Sequence, residues 1–145
     1  MIAILRANWH TDIVDIGIKS FTSKITELGY GADTIHIVDV PGSLEFPLQA
    51  KLLAETGKYE AIVCIGLIVD GGIYRHDFVA QTVVDGIVQV SLETRVPVMS
   101  VALTPKEFRE NSEPHEKFFK DHFFTKGEEA ADATHMMIQN VKNFS

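Results

Sequence analysis

Residues Asp70-Gly71-Gly72-Ile73-Tyr74-Arg75-His76-Asp77 put two glycines, a permanent cation and an imidazole in one short stretch. Backbone N–H groups at a Gly-Gly turn ahead of a helix can point at an anion. Arg75 offers a fixed charge for a phosphate, and His76 can exchange a proton near neutral pH. The spacing is neither a Walker A loop nor the dinucleotide fingerprint, and such a pair also serves as a plain turn. Trp9, the single tryptophan, follows an apolar run in Asn8-Trp9-His10. Its indole could stack on a planar heterocycle or cover the end of the core. In Val40-Pro41-Gly42-Ser43-Leu44-Glu45-Phe46-Pro47, Glu45 stands at a helix start, where a carboxylate suits the helix dipole. It could equally accept hydrogen bonds from a polyhydroxylated ligand, with Ser43 and Leu44 lining the pocket. His115 and His122, seven apart, would share one helix face. No third metal ligand is evident and phenylalanines surround them, so packing is the simpler reading.

Four apolar runs must position these groups. Ile2–Ala7 reads as a buried strand, Thr34–Val40 as a β-branched one with Ile35 and Ile37 on one side, Ala61–Val69 as a strand covered on both faces, and Pro97–Leu103 as a fourth. Amphipathic stretches alternate with them. Thr11 or Asp12 can cap a helix carrying Ile13, Val14, Phe21, Ile25 and Leu28, closed by Gly29 and Gly31. Pro47 fits the first turn of a second helix towards Thr56, with Leu48, Leu52 and Leu53 inward. A third runs from about Arg75 to Thr94, and a last from about Gly127 to Val141. This alternation predicts an α/β fold: a three-layer αβα sandwich around a four-stranded parallel sheet, as one domain over residues 1–145. Ligands of such sheets bind at the carboxyl ends of the strands, where the Trp9, Ser43–Glu45 and Asp70–His76 segments and the chain from Thr104 onwards all fall.

Composition narrows the function. Net charge is −7, from 13 Lys+Arg against 20 Asp+Glu, which argues against nucleic acid as a partner. The longest apolar run, Ala61–Val69, is far short of the roughly 20 residues that span a bilayer. No signal peptide is read at the N-terminus, and the lone Cys64 excludes a disulfide framework. A cytoplasmic protein is expected. Six of nine Phe lie beyond Thr104, an aromatic end that docks on its own core or meets another subunit.

Together these segments resemble lumazine synthase, the penultimate enzyme of riboflavin synthesis. The resemblance rests on the Asn8-Trp9-His10 loop, the Val40–Pro47 block, the block from Gly66 to Val79, Val96-Pro97-Val98 and Lys126-Gly127, and so covers almost the whole chain. The loop Trp and the Gly-Gly-Ile-Tyr-Arg-His-Asp-Phe-Val run look most like the type II branch. The resemblance implies a flavodoxin-like fold, no metal and no cofactor. It also implies a homo-oligomer of pentamers, here a decamer, with each pocket completed by an adjacent subunit. The implied reaction joins 5-amino-6-(D-ribitylamino)uracil to 3,4-dihydroxy-2-butanone 4-phosphate. Carried over by position, Trp9 stacks on the pyrimidine and Ser43, Leu44 and Glu45 hold the ribityl chain. Leu67, Ile68 and Val69 line the pyrimidine pocket, joined by Ser100 from the neighbouring edge, and Gly72 and Ile73 receive the phosphate.

Two positions depart from the family pattern. Its usual proton-transfer His aligns with Arg75, so His76 is expected to move the proton while Arg75 acts by charge, because a guanidinium is a poor acid or base. Its phosphate-binding Arg has no clear match, and His115 is the expected substitute, with His122 behind it. These departures motivate an alternative, a catalytically weak flavin- or lumazine-binding protein on the same scaffold. A signalling domain of the flavodoxin-like class ranks last, since the chain lacks an early acidic pair.

Overall fold

Strands β1 (Ile2–Ala7), β2 (Ile35–Val40), β3 (Ala61–Leu67) and β4 (Val98–Leu103) pair in parallel in the order β2-β1-β3-β4. The computed structural model describes residues 1–68, 76–103 and 113–145, with the backbone alone at 76–77, 102–103 and 113–116. Every residue of β3 is buried, as expected of a strand covered on both faces. On one face Ile2, Ile4, Val63 and Ile65 pack against Ile13, Phe21 and Ile25 of α1 (Thr11–Glu27) and Phe123 and Ile138 of α4 (Glu113–Phe144). On the other, Ala3, Leu5, Ile62 and Cys64 meet Phe46 and Ala50 of α2 (Phe46–Ala54) and Val83, Ile87 and Val90 of α3 (His76–Thr94). The three layers and the strand order are those of the flavodoxin-like class. Burial pushes the Cys64 thiol well above its ordinary range, so it behaves as a small apolar side chain. Among the described residues no helix is long and apolar enough to cross a membrane.

Three local expectations are corrected. Neither Thr11 nor Asp12 caps α1; the cap residue is His10, in left-handed conformation (φ 52°, ψ 50°), and no side chain caps the helix. At the far end Gly29 does take positive φ (106°), whereas Gly31 is extended. In α2 the inward residues are Phe46, Ala50 and Ala54, four apart, while Leu48 and Leu52 are exposed and Leu53 is partly buried. At its first turn α2 approaches α3 closely: a Cβ on Gly86 of α3 would lie 2.6 Å from Pro47 Cγ.

The last helix is the third correction. It is continuous over 32 residues, rather than starting near Gly127, and spans about 48 Å. Gly127 sits inside it because α1 crosses there: a Cβ would overlap Ser20 Oγ and stand 2.5 Å from the Gly17 carbonyl. Opposite, Gly17 faces the Phe123 ring. Towards its C-terminus α4 is tied to the start of the sheet. Lys142 donates to Glu60 at 2.9 Å and holds that carboxyl below its ordinary range. The Tyr30 hydroxyl meets His135 Nδ1 at 2.9 Å. Towards its N-terminus Lys120 lies 3.9 Å from Asp12, so the first turns of α4 reach past the start of α1. Gly127→Ala is expected to cost about 1–3 kcal/mol of stability by overpacking. An unchanged urea midpoint would contradict the close contact between α1 and α4.

Candidate active site

Among the described residues, the loops that follow β1 and β2 at the carboxyl end of the sheet are tied together at one turn. Asn8 N–H donates to the Val40 carbonyl at 2.9 Å, which ties the end of β1 to the end of β2. Trp9 N–H folds back onto the Ala7 carbonyl at 2.9 Å. The His10 carbonyl then accepts from Ile13 and Val14 N–H at 3.0 and 3.1 Å, starting α1. Holding a non-glycine residue left-handed costs roughly 1–2 kcal/mol. That conformation lets three residues join strand to helix with the indole outside. Trp9 is 45% exposed and lies over the His10 imidazole, ring centroids 5.7 Å apart and planes 24° apart. The indole therefore does not seal the end of the core within this chain.

Beside it, Ser43–Glu45 form a 3-10 turn in which Glu45 N–H donates to the Gly42 carbonyl at 3.2 Å. Ser43 is buried and leans over the end of β3: a Cβ on Gly66 would lie 2.9 Å from Ser43 Oγ, 2.9 Å from Ala7 Cβ and 3.2 Å from Phe46 Cζ. Gly66 is thus what lets the Ser43 turn settle onto the sheet. Glu45 is exposed and makes no capping bond to α2; its Oε2 turns back over Gly42. Exposed Leu44 faces Phe78, Val79 and Thr82 across a hollow of about 220 Å³. Phe78, also exposed, enters the sequence reading only within the Gly71–Val79 run of the resemblance, with no role of its own. Leu67 and Ile68 bury their side chains in opposite cores. What they offer at this edge is backbone.

The remaining candidates divide. Val69, Gly72, Ile73 and Arg75 lie outside the described residues, and His76 and His115 are placed by backbone alone, at the first residue of α3 and in the first turn of α4. His122 stacks on Phe118 (5.8 Å, 8°), and no three metal-ligating side chains gather among the described residues. Ser100 does not join Trp9. It pairs in register with Cys64, three residues before the end of β4, about 10 Å back from the loop edge.

Against this geometry, comparison with known proteins is decisive. The family model described as 6,7-dimethyl-8-ribityllumazine synthase matches residues 1–142. The chain belongs to that family. A 6,7-dimethyl-8-ribityllumazine synthase of Rhodococcus erythropolis is 52% identical over 97% of this chain and 90% of its own length. The 6,7-dimethyl-8-ribityllumazine synthase 2 of Pseudomonas syringae pv. tomato is 51% identical over 98% and 83%, and that of Bradyrhizobium diazoefficiens 47% over 91% and 78%.

Within this lumazine synthase family chain, Ser100 has its own surroundings. It lines a hollow of about 340 Å³ with Met99, Val101, Lys126, Glu129 and Ala130, where Lys126 Nζ donates to Glu129 Oε2 at 3.0 Å. Sequence reading used Lys126 only as a point of resemblance and passed over Glu129. Their i,i+3 spacing on a helix was the available signal. Gly66→Ala is expected to push the Ser43 turn off the sheet, lowering stability by about 1–3 kcal/mol. A crystal structure of the variant with Ser43 and Phe46 unmoved would refute this.

Proposed function

We infer that this chain condenses 5-amino-6-(D-ribitylamino)uracil with 3,4-dihydroxy-2-butanone 4-phosphate to 6,7-dimethyl-8-ribityllumazine, the riboflavin-pathway reaction for which its family is named. The observation that carries the reading to this edge is a half-exposed indole beside a carboxylate-bearing turn at the carboxyl end of a parallel sheet, in a chain matched by the family model over 1–142. Residues 1–145 act as one domain.

In the proposed arrangement Trp9 stacks on the pyrimidine, Ser43, Leu44 and Glu45 hold the ribityl chain, and the backbone of Leu67, Ile68 and Val69 lines the ring. The amides of Gly72 and Ile73 take the phosphate, with His115 beside them. The uracil 5-amino group attacks the ketone and loses water to form an imine. His76 removes the adjacent proton, phosphate leaves, and the resulting enol tautomerises. The ribitylamino nitrogen then closes the second ring, with loss of a second water. The Arg75 charge steadies the departing phosphate. No strong nucleophile is required. Holding two substrates in register supplies much of such a rate enhancement, and general acid–base help typically adds about 10²–10⁴-fold.

Ser100 sits too far back on β4 to reach its own chain's Trp9, so we assign its hollow to the pocket of an adjacent subunit. Pentamers, paired into a decamer, supply that neighbour. The stripes Leu44, Leu48, Leu52 and Val84, Val88, Leu92, each four residues apart and exposed in the single chain, support burial against other copies. A cytoplasmic location fits the lone buried thiol.

Mixing the protein with both substrates is expected to produce lumazine fluorescence faster than the spontaneous condensation. Trp9→Ala should raise the KM for the pyrimidine about fivefold, the worth of one aromatic stacking contact. A rate equal to the uncatalysed one would end this reading. Multi-angle light scattering should return ten chains per particle; a fully active monomer would remove the shared pocket.

A further inference from the structure

Arg6 is the charged residue in an otherwise apolar strand: Ile2, Ile4 and Arg6 alternate onto one face of β1, and the two isoleucines are fully buried there. Its guanidinium makes a fork. Nε and Nη2 donate to the two Asp39 carboxylate oxygens at 2.5 and 3.1 Å, and Nη1 donates to Asp15 Oδ1 at 3.0 Å. Asp39 is its in-register partner on β2, and Asp15 belongs to the early turns of α1. One side chain therefore joins three elements that converge on the loop edge. The Asn8–His10 loop is bracketed, with Arg6 before it and Asp15 after it, while Asp39 stands four residues before Ser43. Packing alone does not call for this arrangement, because an apolar side chain of similar volume commonly stabilises as well as a partly buried ion pair. What an apolar residue lacks is the planar, two-sided geometry of the guanidinium, which specifies distance and angle together.

We propose that Arg6 is a positioning residue of the condensation, setting the Trp9 loop and the Ser43–Glu45 turn at the separation that the ribityl-bearing pyrimidine needs. The inference rests on the site reading given above. It is expected to act on one substrate, because the two carboxylates it holds, Asp39 and Asp15, flank the Ser43–Glu45 turn and the Trp9 loop assigned to the pyrimidine.

Arg6→Met, Arg6→Lys and Asp39→Asn test it. The sole tryptophan lies inside the bracketed loop, so its fluorescence reports that loop without ambiguity. In Arg6→Met the KM for the pyrimidine should rise about tenfold, within the loss that a misplacement of order 1 Å produces. The KM for the phosphate ketone should stay within about twofold. Acrylamide quenching of Trp9 should change in parallel. Arg6→Lys should restore little, since an ammonium cannot bridge two carboxylates in a plane. Asp39 is exposed on the edge strand, so Asp39→Asn keeps the test valid if Arg6→Met fails to fold. Parent-like KM values together with parent-like quenching in the folded variants would overturn the proposal. If Trp9→Ala raises the pyrimidine KM while these variants leave it unchanged, the clamp falls and the site reading stands. If Trp9→Ala leaves it unchanged, the site reading itself falls, and the clamp with it.

Discussion

The complete burial of β3 is the constraint on which the rest depends. A strand with water on neither face needs helices on both, and parallel neighbours need a helix in each crossover. α1 and α4 therefore cover one side, α2 and α3 the other. Every strand must also end in the same direction, so every loop from strand to helix opens at one edge. Residues that the buried strand cannot hold are segregated to such loops. His10 in its left-handed conformation, the Ser43–Glu45 turn and the exposed indole are three instances of that segregation.

Two glycine contacts transmit the constraint outward. Gly66, at the end of the buried strand, lets Ser43 and Phe46 descend onto the sheet, so the site turn rests on backbone rather than on a side chain. Gly17 and Gly127 do the same for α1 and α4, whose helices touch closely enough that a methyl group has no space. The long α4 is held at both ends, by Lys142 on Glu60 and by Lys120 near Asp12. Its first turns are carried towards the loop edge as a rigid rod. In each case a missing side chain fixes a distance that an added one would lengthen.

How legible this was in the sequence follows from which forces act locally. Strand runs and their breaks were readable, because a continuous apolar stretch ending in Pro41-Gly42 has few other meanings. The edge that gathers Trp9 with Ser43–Glu45 was readable for the same reason, since topology alone sends those loops together. Leu48 and Leu52 were misread because hydrophobicity marks a residue as wanting cover without saying who provides it. Gly127 was misread as a helix start because a glycine that permits a crossing looks like one that begins a turn. The cap at His10 carries no capping side chain and therefore no sequence signal. Ser100 is the instructive case: resemblance named it, yet only the register Cys64 to Ser100 places it on an outer strand, away from the indole. Arg6 was visible as a charge among isoleucines, but its meaning needed both aspartates in place.

In the proposed shared pocket, an adjacent subunit adds to what the described residues of this edge supply. Ligand sites for molecules of this size enclose about 300–1,000 Å³ and cover most of the ligand surface. The hollow beside Leu44 and Phe78, bounded by described residues, holds about 220 Å³ and leaves both side chains open to water. An indole that is 45% exposed can present one face to a ring, yet it cannot exclude solvent from the far side. Imine formation and ring closure both expel water, so a wall on that far side favours each step. The Ser100 hollow is of complementary kind, a lining of small and apolar residues with one ion pair on an open strand edge. Bringing such a surface over the indole would enclose the pyrimidine while burying apolar area that a single chain leaves wet. In the proposed assembly, enclosure of the substrate and association of the subunits would draw on the same surfaces, so loss of one would entail loss of the other.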